Sequence, residues 1–216
     1  MPLRPVLSRL LPAALAGGLA SQAAAASAPE THLDYTVLRN GDPVGHHQVD
    51  VIREDGGETV SIQTNIVVKV AFVPVYRFEH QGREVWHDGR LVTLRSTTND
   101  DGDKHTLDVR AEGDHVDVTG DGVRTQAASG IVPASLWNAA LVHQSVLLNT
   151  LTGKQMTVQV ADLGEDTVRV HGGPARAHHY KVTGELEREL WYDTAGTLVQ
   201  VQFKAKDDSH IRYVLG

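Results

Sequence analysis

Between Val60 and Phe72 the even positions read Val60, Ile62, Thr64, Ile66, Val68, Val70 and Phe72, while Thr59, Ser61, Gln63, Asn65 and Lys69 hold odd ones. Side chains of an extended chain point alternately to opposite sides. A period of two therefore demands a strand with one face hidden and the other wet. The alternation runs on through Pro74 into "VPVYRFEHQGREVWHDG" (73–89), whose even positions are Tyr76, Phe78, His80, Gly82, Glu84 and Trp86. That is too long for one ordinary strand of about 5–6 residues. Pro74 brings no N–H to a ladder, which places a bend or an edge there, with the apolar face continuing past it. One side of the chain is thus aromatic, interrupted by an imidazole and a carboxylate.

The same rhythm holds almost everywhere after residue 32. "LDYTVLRNGDPVGHHQVDVIRE" (33–54) reads as two strands joined at Asn40-Gly41, a strong hairpin signal. Turn clusters follow at "HDGR" (87–90), "NDDGDK" (99–104), "EGDH" (112–115), "TGDG" (119–122), "DLGED" (162–166), "HGGPA" (171–175), "DTAG" (193–196) and "DDS" (207–209). Short strands with tight turns pair antiparallel. The expectation is a mainly β protein: one antiparallel, strongly curved sheet or incomplete barrel of about 10–12 strands, since so many cannot stay flat. One segment breaks the pattern. "PASLWNAALVHQSVLLNTLTGK" (133–154) starts with Pro133 and Ser135, has Gly153 beyond its end, and is apolar around its whole helical circumference. It predicts a short buried helical segment near 135–149, or two short helices with a break between them, lying over the concave face or mouth of the sheet.

Residues 1–27 read as an export signal. Arg4 and Arg9 are the only charges before Glu30, "LLPAALAGGLA" (10–20) is a short apolar core, and small residues follow to a cleavage point near 26–28. That core is too short to span a bilayer, which takes about 20 residues, and no later stretch is apolar enough. The expectation is a periplasmic or secreted protein with one β-domain over 28–216 and no transmembrane segment in the mature chain. The chain has no cysteine, so it carries no disulfide, thiol nucleophile or lipidated cysteine. Its net charge of −7 and lack of any dense run of Lys or Arg make nucleic acid a poor partner.

The 12 histidines raise metal binding. Zinc needs three or four converging ligands, and neighbours on a strand point apart, so neither His46-His47 nor His178-His179 chelates as a pair. There is no HExxH. "TTNDDGDKHTLD" (97–108) matches a calcium loop at Asn99, Asp101 and Gly102, but has Thr97 at the first ligand position and Asp108 in place of the final Glu; a hairpin turn is the better reading. The chain also lacks a GxSxG elbow, an SxxK pair, a phosphate loop and a dinucleotide fingerprint. No metal, cofactor or catalytic residue is assigned.

The pieces "GDPVGHH" (41–47), "VPVYRFEHQGREVWHDGRL" (73–91), "SLWNAALVHQSVLLNTLTGK" (135–154) and "LWYDTAGTLVQVQFKAKDDSHIRYVL" (190–215), in that order, resemble an uncharacterised family of exported bacterial β-sheet proteins, a domain of unknown function. That family is distantly similar to periplasmic lipoprotein carriers, unclosed barrels that hold acyl chains beneath short helices. The resemblance implies a fold and an envelope location, and it brings no catalytic residues. "DDSH" departs from the glycine expected in the last hairpin.

The leading functional reading is a non-catalytic periplasmic binder of an apolar, lipid-like ligand lined by Tyr76, Phe78, His80, Glu84, Trp86 and Trp137, with His80 and Glu84 paired. Such a site needs little signature. Burying ~400 Å² of acyl chain contributes ~10 kcal/mol gross at ~25 cal/mol per Å², before the cost of ordering. Against it stands a concavity filled by 135–149, which leaves a core and no pocket. The alternative is an envelope assembly protein that meets another protein through aromatics such as Trp191, Tyr192 and Tyr213. In that reading Trp191 lies outward, among Glu185, Glu187 and Glu189. A histidine metal site or an unrecognised hydrolase is the third reading.

Overall fold

The computed structural model describes residues 30–54 and 56–216; the stretch read as an export signal lies outside them. Alternation becomes structure through hairpins. The first eight strands are β1 (Glu30–Arg39), β2 (Asp42–Glu54), β3 (Gly57–Val70), β4 (Val73–His87), β5 (Arg90–Asp100), β6 (Asp103–Glu112), β7 (His115–Gly120) and β8 (Val123–Ala128). Then come two short strands, β9 (Val132–Pro133) and β10 (Val146–Leu148). The last five are β11 (Gln155–Val170), β12 (Gly173–Gly184), β13 (Arg188–Tyr192), β14 (Leu198–Lys204) and β15 (His210–Leu215).

All belong to one sheet of order β8-β7-β6-β5-β4-β3-β2-β1-β15-β14-β13-β12-β11-β10-β9. Every neighbour in space is a neighbour in sequence except β1 and β15, which pair antiparallel from Tyr35↔Leu215 to Arg39↔Ile211. The cycle is complete but for one seam: the edges β8 and β9 are consecutive in the chain and do not pair, so the sheet is not closed. β9 and β10 run parallel, which makes the sheet mixed rather than purely antiparallel.

Fifteen strands at ~4.8 Å would span about 65–70 Å if flat. Yet Tyr35, Val60, Trp86, Leu107, Val116, Leu147, Val158, Leu190 and Val201, from both halves of the sheet, belong to one buried cluster. Only a curled sheet achieves that. The Tyr35 hydroxyl even reaches past β15 to donate to Leu198 O on β14, at 2.7 Å.

Besides the parallel β9–β10 pair, the sequence reading needs four corrections. There are 15 strands, not 10–12, partly because one of them, β10, lies where a helix was expected. No α-helix forms at 135–149; a single 3₁₀ turn, Ala139–His143, capped by the Asn138 side chain, sits between β9 and β10. The residues are apolar all round because they plug the interior. The extended form wins because Val146–Leu148, as β10, finds ladder partners on both sides: the start of β11 and the short strand β9. The chain reverses at Ala71-Phe72, not at Pro74, and parity survives because a bulge near Val68/Lys69 keeps Val68 opposite Tyr76. "DLGED" is no turn: it is a bulge inside β11 between Asp162 and Gly164.

Candidate functional site

On β4 the burial pattern alternates as the sequence demands: His80, Glu84 and Trp86 are buried, Tyr76, Phe78 and Gly82 are half-buried, and Arg77, Glu79, Gln81 and Arg83 are exposed. The inward row divides into two parts with different surroundings.

The first part holds the plug. The indole N–H groups of Trp86 and Trp137 both donate to Glu84 Oε2, each at 2.8 Å, and the rings meet edge to face at 5.8 Å between centroids. Glu84 is fully buried, with Oε1 and the neighbouring Ser135 Oγ unpartnered. Burial raises its pKa above the usual carboxylate value, opposed by contacts from Trp137, Ser135 and Trp86. A proton on Oε1 directed at the Ser135 hydroxyl satisfies both unpartnered atoms, so the neutral acid fits the site. Ser96 Oγ donates to Thr150 O at 2.5 Å, and Gly120 lacks the Cβ that would collide with the Thr152 carbonyl. Residues 134–152 are thus fastened across β4, β5 and β7.

The second part lies toward the β3–β4 turn. His47, Thr64, His80 and Thr98 follow one another across β2, β3, β4 and β5 in register. His47 Nδ1 bonds Thr64 Oγ1 and His80 Nδ1 bonds Thr98 Oγ1, each at 2.8 Å. Among the described residues neither ring has a partner at Nε2. A Cβ at Gly82 would come within 3.3 Å of His80 Nε2, so the glycine leaves that nitrogen its space. Burial pushes both imidazoles down to about 4, with His80 adding repulsion at His47, so both are neutral at neutral pH. His47 sits between the Tyr35 and Tyr213 rings, at 5.5 and 5.4 Å. Beyond the histidines, Phe78 stacks on His80 at 6.3 Å and faces Ile66, and Tyr76 faces Val68 and donates to Asp100 Oδ1 at 2.7 Å. Tyr213 lies close enough to help raise the Tyr76 pKa, behind burial and the Asp100 bond. Its other neighbour is Phe203, whose ring carries the Arg188 guanidinium at 3.7 Å.

Of the six residues expected to line a ligand, Glu84, Trp86 and Trp137 form the clasp under the plug, and Tyr76, Phe78 and His80 belong to the end toward the β3–β4 turn. That end is uncapped in the sense that none of these three takes a hydrogen-bond or ring partner from residues 134–152. His80 and Glu84 share a face and have separate partners, so the expected pair does not form. The sequence reading missed His47, although its parity with Val49 and Val51 in "HHQVDV" was the signal. Trp191 is not an exposed contact: it is buried on the outer face beneath His179, whose ring stacks on it at 4.1 Å.

Two open depressions mark the surface. One, of about 440 Å³, lies over the outward residues Asp50, Ser61, Gln63, Gln81, Arg83 and Arg95. The other, of about 260 Å³, is lined by residues 53–58 and 86–89, and its rim touches Trp86. No residue of 129–154 lines either one. Among the described residues no group of three or more His, Asp or Glu is placed to hold a metal ion, and no helix is long and apolar enough to cross a membrane. A family model described as a domain of unknown function (DUF6134) matches residues 35–216. No curated protein and no solved structure matches the chain.

Proposed function

Since the chain belongs to this family of unknown function, we propose its role from its own geometry: a non-catalytic binder of an apolar, lipid-like ligand at the uncapped end of the curled sheet. The observation that carries this is the division of the inward row. The plug covers Glu84 and Trp86, while Ile66, Val68, Tyr76 and Phe78 face inward and stay half-buried. Behind them the free Nε2 atoms of His47 and His80 supply polar contact to a headgroup. An apolar wall with a few placed polar groups is the usual make-up of such sites. The reading carries with it a leader at 1–27, an exported β-domain at 28–216, and a periplasmic or secreted location in a bacterium, supported by the N-terminal pattern.

The test is chemical. Protein purified from the periplasm is extracted with organic solvent, and the extract and intact mass are read by mass spectrometry. The expected results are a mature N-terminus near residue 28 and a co-purified apolar molecule that is lost in Phe78→Asp. Absence of any such molecule, together with no displacement of a fluorescent fatty-acid probe, removes the reading.

A further inference from the structure

Five two-residue hairpin turns among the described residues have both central φ angles positive, the geometry of a type I′ turn. Four are Asx-Gly: Asn40-Gly41, Asp88-Gly89, Asp101-Gly102 and Asp121-Gly122. The fifth is Ala71-Phe72, at φ 48° and 72°. Asn or Asp tolerates this region and glycine enters it freely, whereas a phenylalanine there is strained. The chain thus uses the inexpensive solution four times and the strained one once, at a place where the strained residue is 96% exposed.

Phe72 is not alone. Val70, Val73 and Val75 are also more than half exposed, so most of the large exposed apolar side chains among the described residues crowd one hairpin tip. Such a patch marks an interaction surface. Going down from the apex, the first charged group is Lys69, opposite Pro74, and the next is Arg77, opposite Val67. Both are exposed, and neither has a carboxylate partner in the ion pairs of the described residues. Carboxylates stand on the same level: Glu79, two residues on from Arg77 on the outward face of β4, accepts from Asn99, while on the adjoining hairpin Asp100 accepts from the Tyr76 hydroxyl and Asp101 from the Arg77 backbone N–H. The apolar cap is about two residue steps deep, roughly 7 Å. That matches the ~5–10 Å to which interfacial elements sink at the headgroup boundary.

We propose that the β3–β4 tip, Val70–Val75, inserts into the surface of a phospholipid bilayer, with Lys69 and Arg77 meeting anionic headgroups. The apolar cap, the strained apical phenylalanine and a cationic collar on an otherwise acidic chain fit that one occupant. The proposal goes beyond ligand binding and stands without it, since an empty protein docks as well as a loaded one. If both hold, the tip delivers the uncapped end to the membrane.

The decisive variant is the full chain with Ala71→Asn and Phe72→Gly, which installs the turn used at the four other sites and removes the apical ring. Cosedimentation compares phosphatidylcholine vesicles with phosphatidylcholine–phosphatidylglycerol vesicles. The expected result is association of the wild type with the anionic vesicles, weakened by salt, and reduced at least about tenfold in the double variant, whose thermal midpoint is no lower. Lys69→Gln with Arg77→Gln removes the preference for anionic vesicles. Residues 1–29 are common to all variants, so differences report the tip. In Phe72→Trp, whose new indole is followed against the unchanged wild-type tryptophan signal, brominated lipid quenches the added emission. Added emission that stays unquenched on vesicle-bound protein, or a double variant that binds as well as the wild type, overturns the proposal. So does a Phe72-dependent dimer in sedimentation velocity with no vesicle association, which assigns the tip to a second copy. Ligand extraction and vesicle association fail independently, so each outcome is attributable.

Discussion

Two hairpins outrun their neighbours, and they end in opposite ways. The β11–β12 hairpin bulges at Asp162–Gly164 and returns over the sheet: the His171 N–H donates to Leu215 O at 3.1 Å, and Asp166 Oδ2 accepts from the Trp191 indole at 3.0 Å. Val168, Ala177, Trp191 and Val199 form a second buried cluster there, on the opposite face from the main core. The β3–β4 hairpin has a stronger apolar case for folding back, yet Phe72 stands in solvent. The comparison teaches that apolar content does not decide whether a projecting hairpin is buried. A cross-strand surface able to receive it does. Trp191 supplies that surface for one hairpin, while the outward residues beside the other, Asn65, Glu79 and Lys104, are polar.

The largest effect expected from this contrast is on stability. Trp191→Ala empties a buried aromatic site and leaves Asp166 Oδ2 without its donor, while Oδ1 keeps the Thr167 N–H. The change should cost about 3–5 kcal/mol. Phe72→Ala should change stability by no more than ~0.5 kcal/mol. Urea unfolding of the two variants measures both. Similar small losses from each would mean that the returning hairpin is not held by the tryptophan.

A second experiment separates the two sides of the molecule by pH. The fold holds His47 and His80 near 4, against about 6.5 for an unperturbed imidazole. Between those values the unfolded chain binds more protons, so the contribution of these groups is full above about 6.5 and is lost as the pH falls toward 4. Two such groups amount to a few kcal/mol at the acid end. Glu84 has the opposite sign, because burial raises its pKa: the advantage of its protonated form is intact below the ordinary carboxylate value and is lost as the pH rises. His47→Gln with His80→Gln should flatten the acid limb, and Glu84→Gln the neutral limb, with the Trp86 and Trp137 contacts kept. Hydrogen exchange should show acid opening of β2–β5 before β11–β12. Simultaneous opening, or an unchanged acid limb in the double variant, removes the histidine row as its cause.

Period two carries the sidedness of β4 without help, because a buried face leaves each residue one side to choose. On β5 it holds only from Leu94 on, since a bulge opposite Val85/Trp86 buries Leu91 as well. It also places Leu190 and Tyr192 inward. What parity cannot carry is the partner. His80 and Glu84 share a face in the sequence, and the register that gives one to Thr98 and the other to two indoles comes from β5 and from a segment more than 50 residues away. The segment 133–154 shows the other limit. Apolarity around the full circumference says that a stretch is buried, and says nothing of its backbone form, which here follows from the unpaired edge of β11. Outward parity misled at Trp191 because the surface that covers it is the chain's own hairpin. The turn at Ala71-Phe72 was invisible because no local residue asks for it; the pairing of β3 with β4 imposes it.

That imposed turn yields the smallest effect and a pointed one. A side chain in the left-handed region costs about 1–2 kcal/mol, and both central residues of the turn occupy it. Ala71→Asn with Phe72→Gly should therefore raise stability by about 1 kcal/mol, since glycine's extra freedom in the unfolded chain offsets part of the relief. An exposed tip offers no packing to lose, so nothing in the folded molecule opposes the gain. Denaturant midpoints of the variant and the wild type decide it. A lower midpoint would mean that the phenylalanine packs against its own molecule, and the contrast between the two hairpins would dissolve. A higher one leaves a chain that keeps a destabilising residue at an exposed hairpin tip, and an interaction outside the fold is then the physical reason for keeping it.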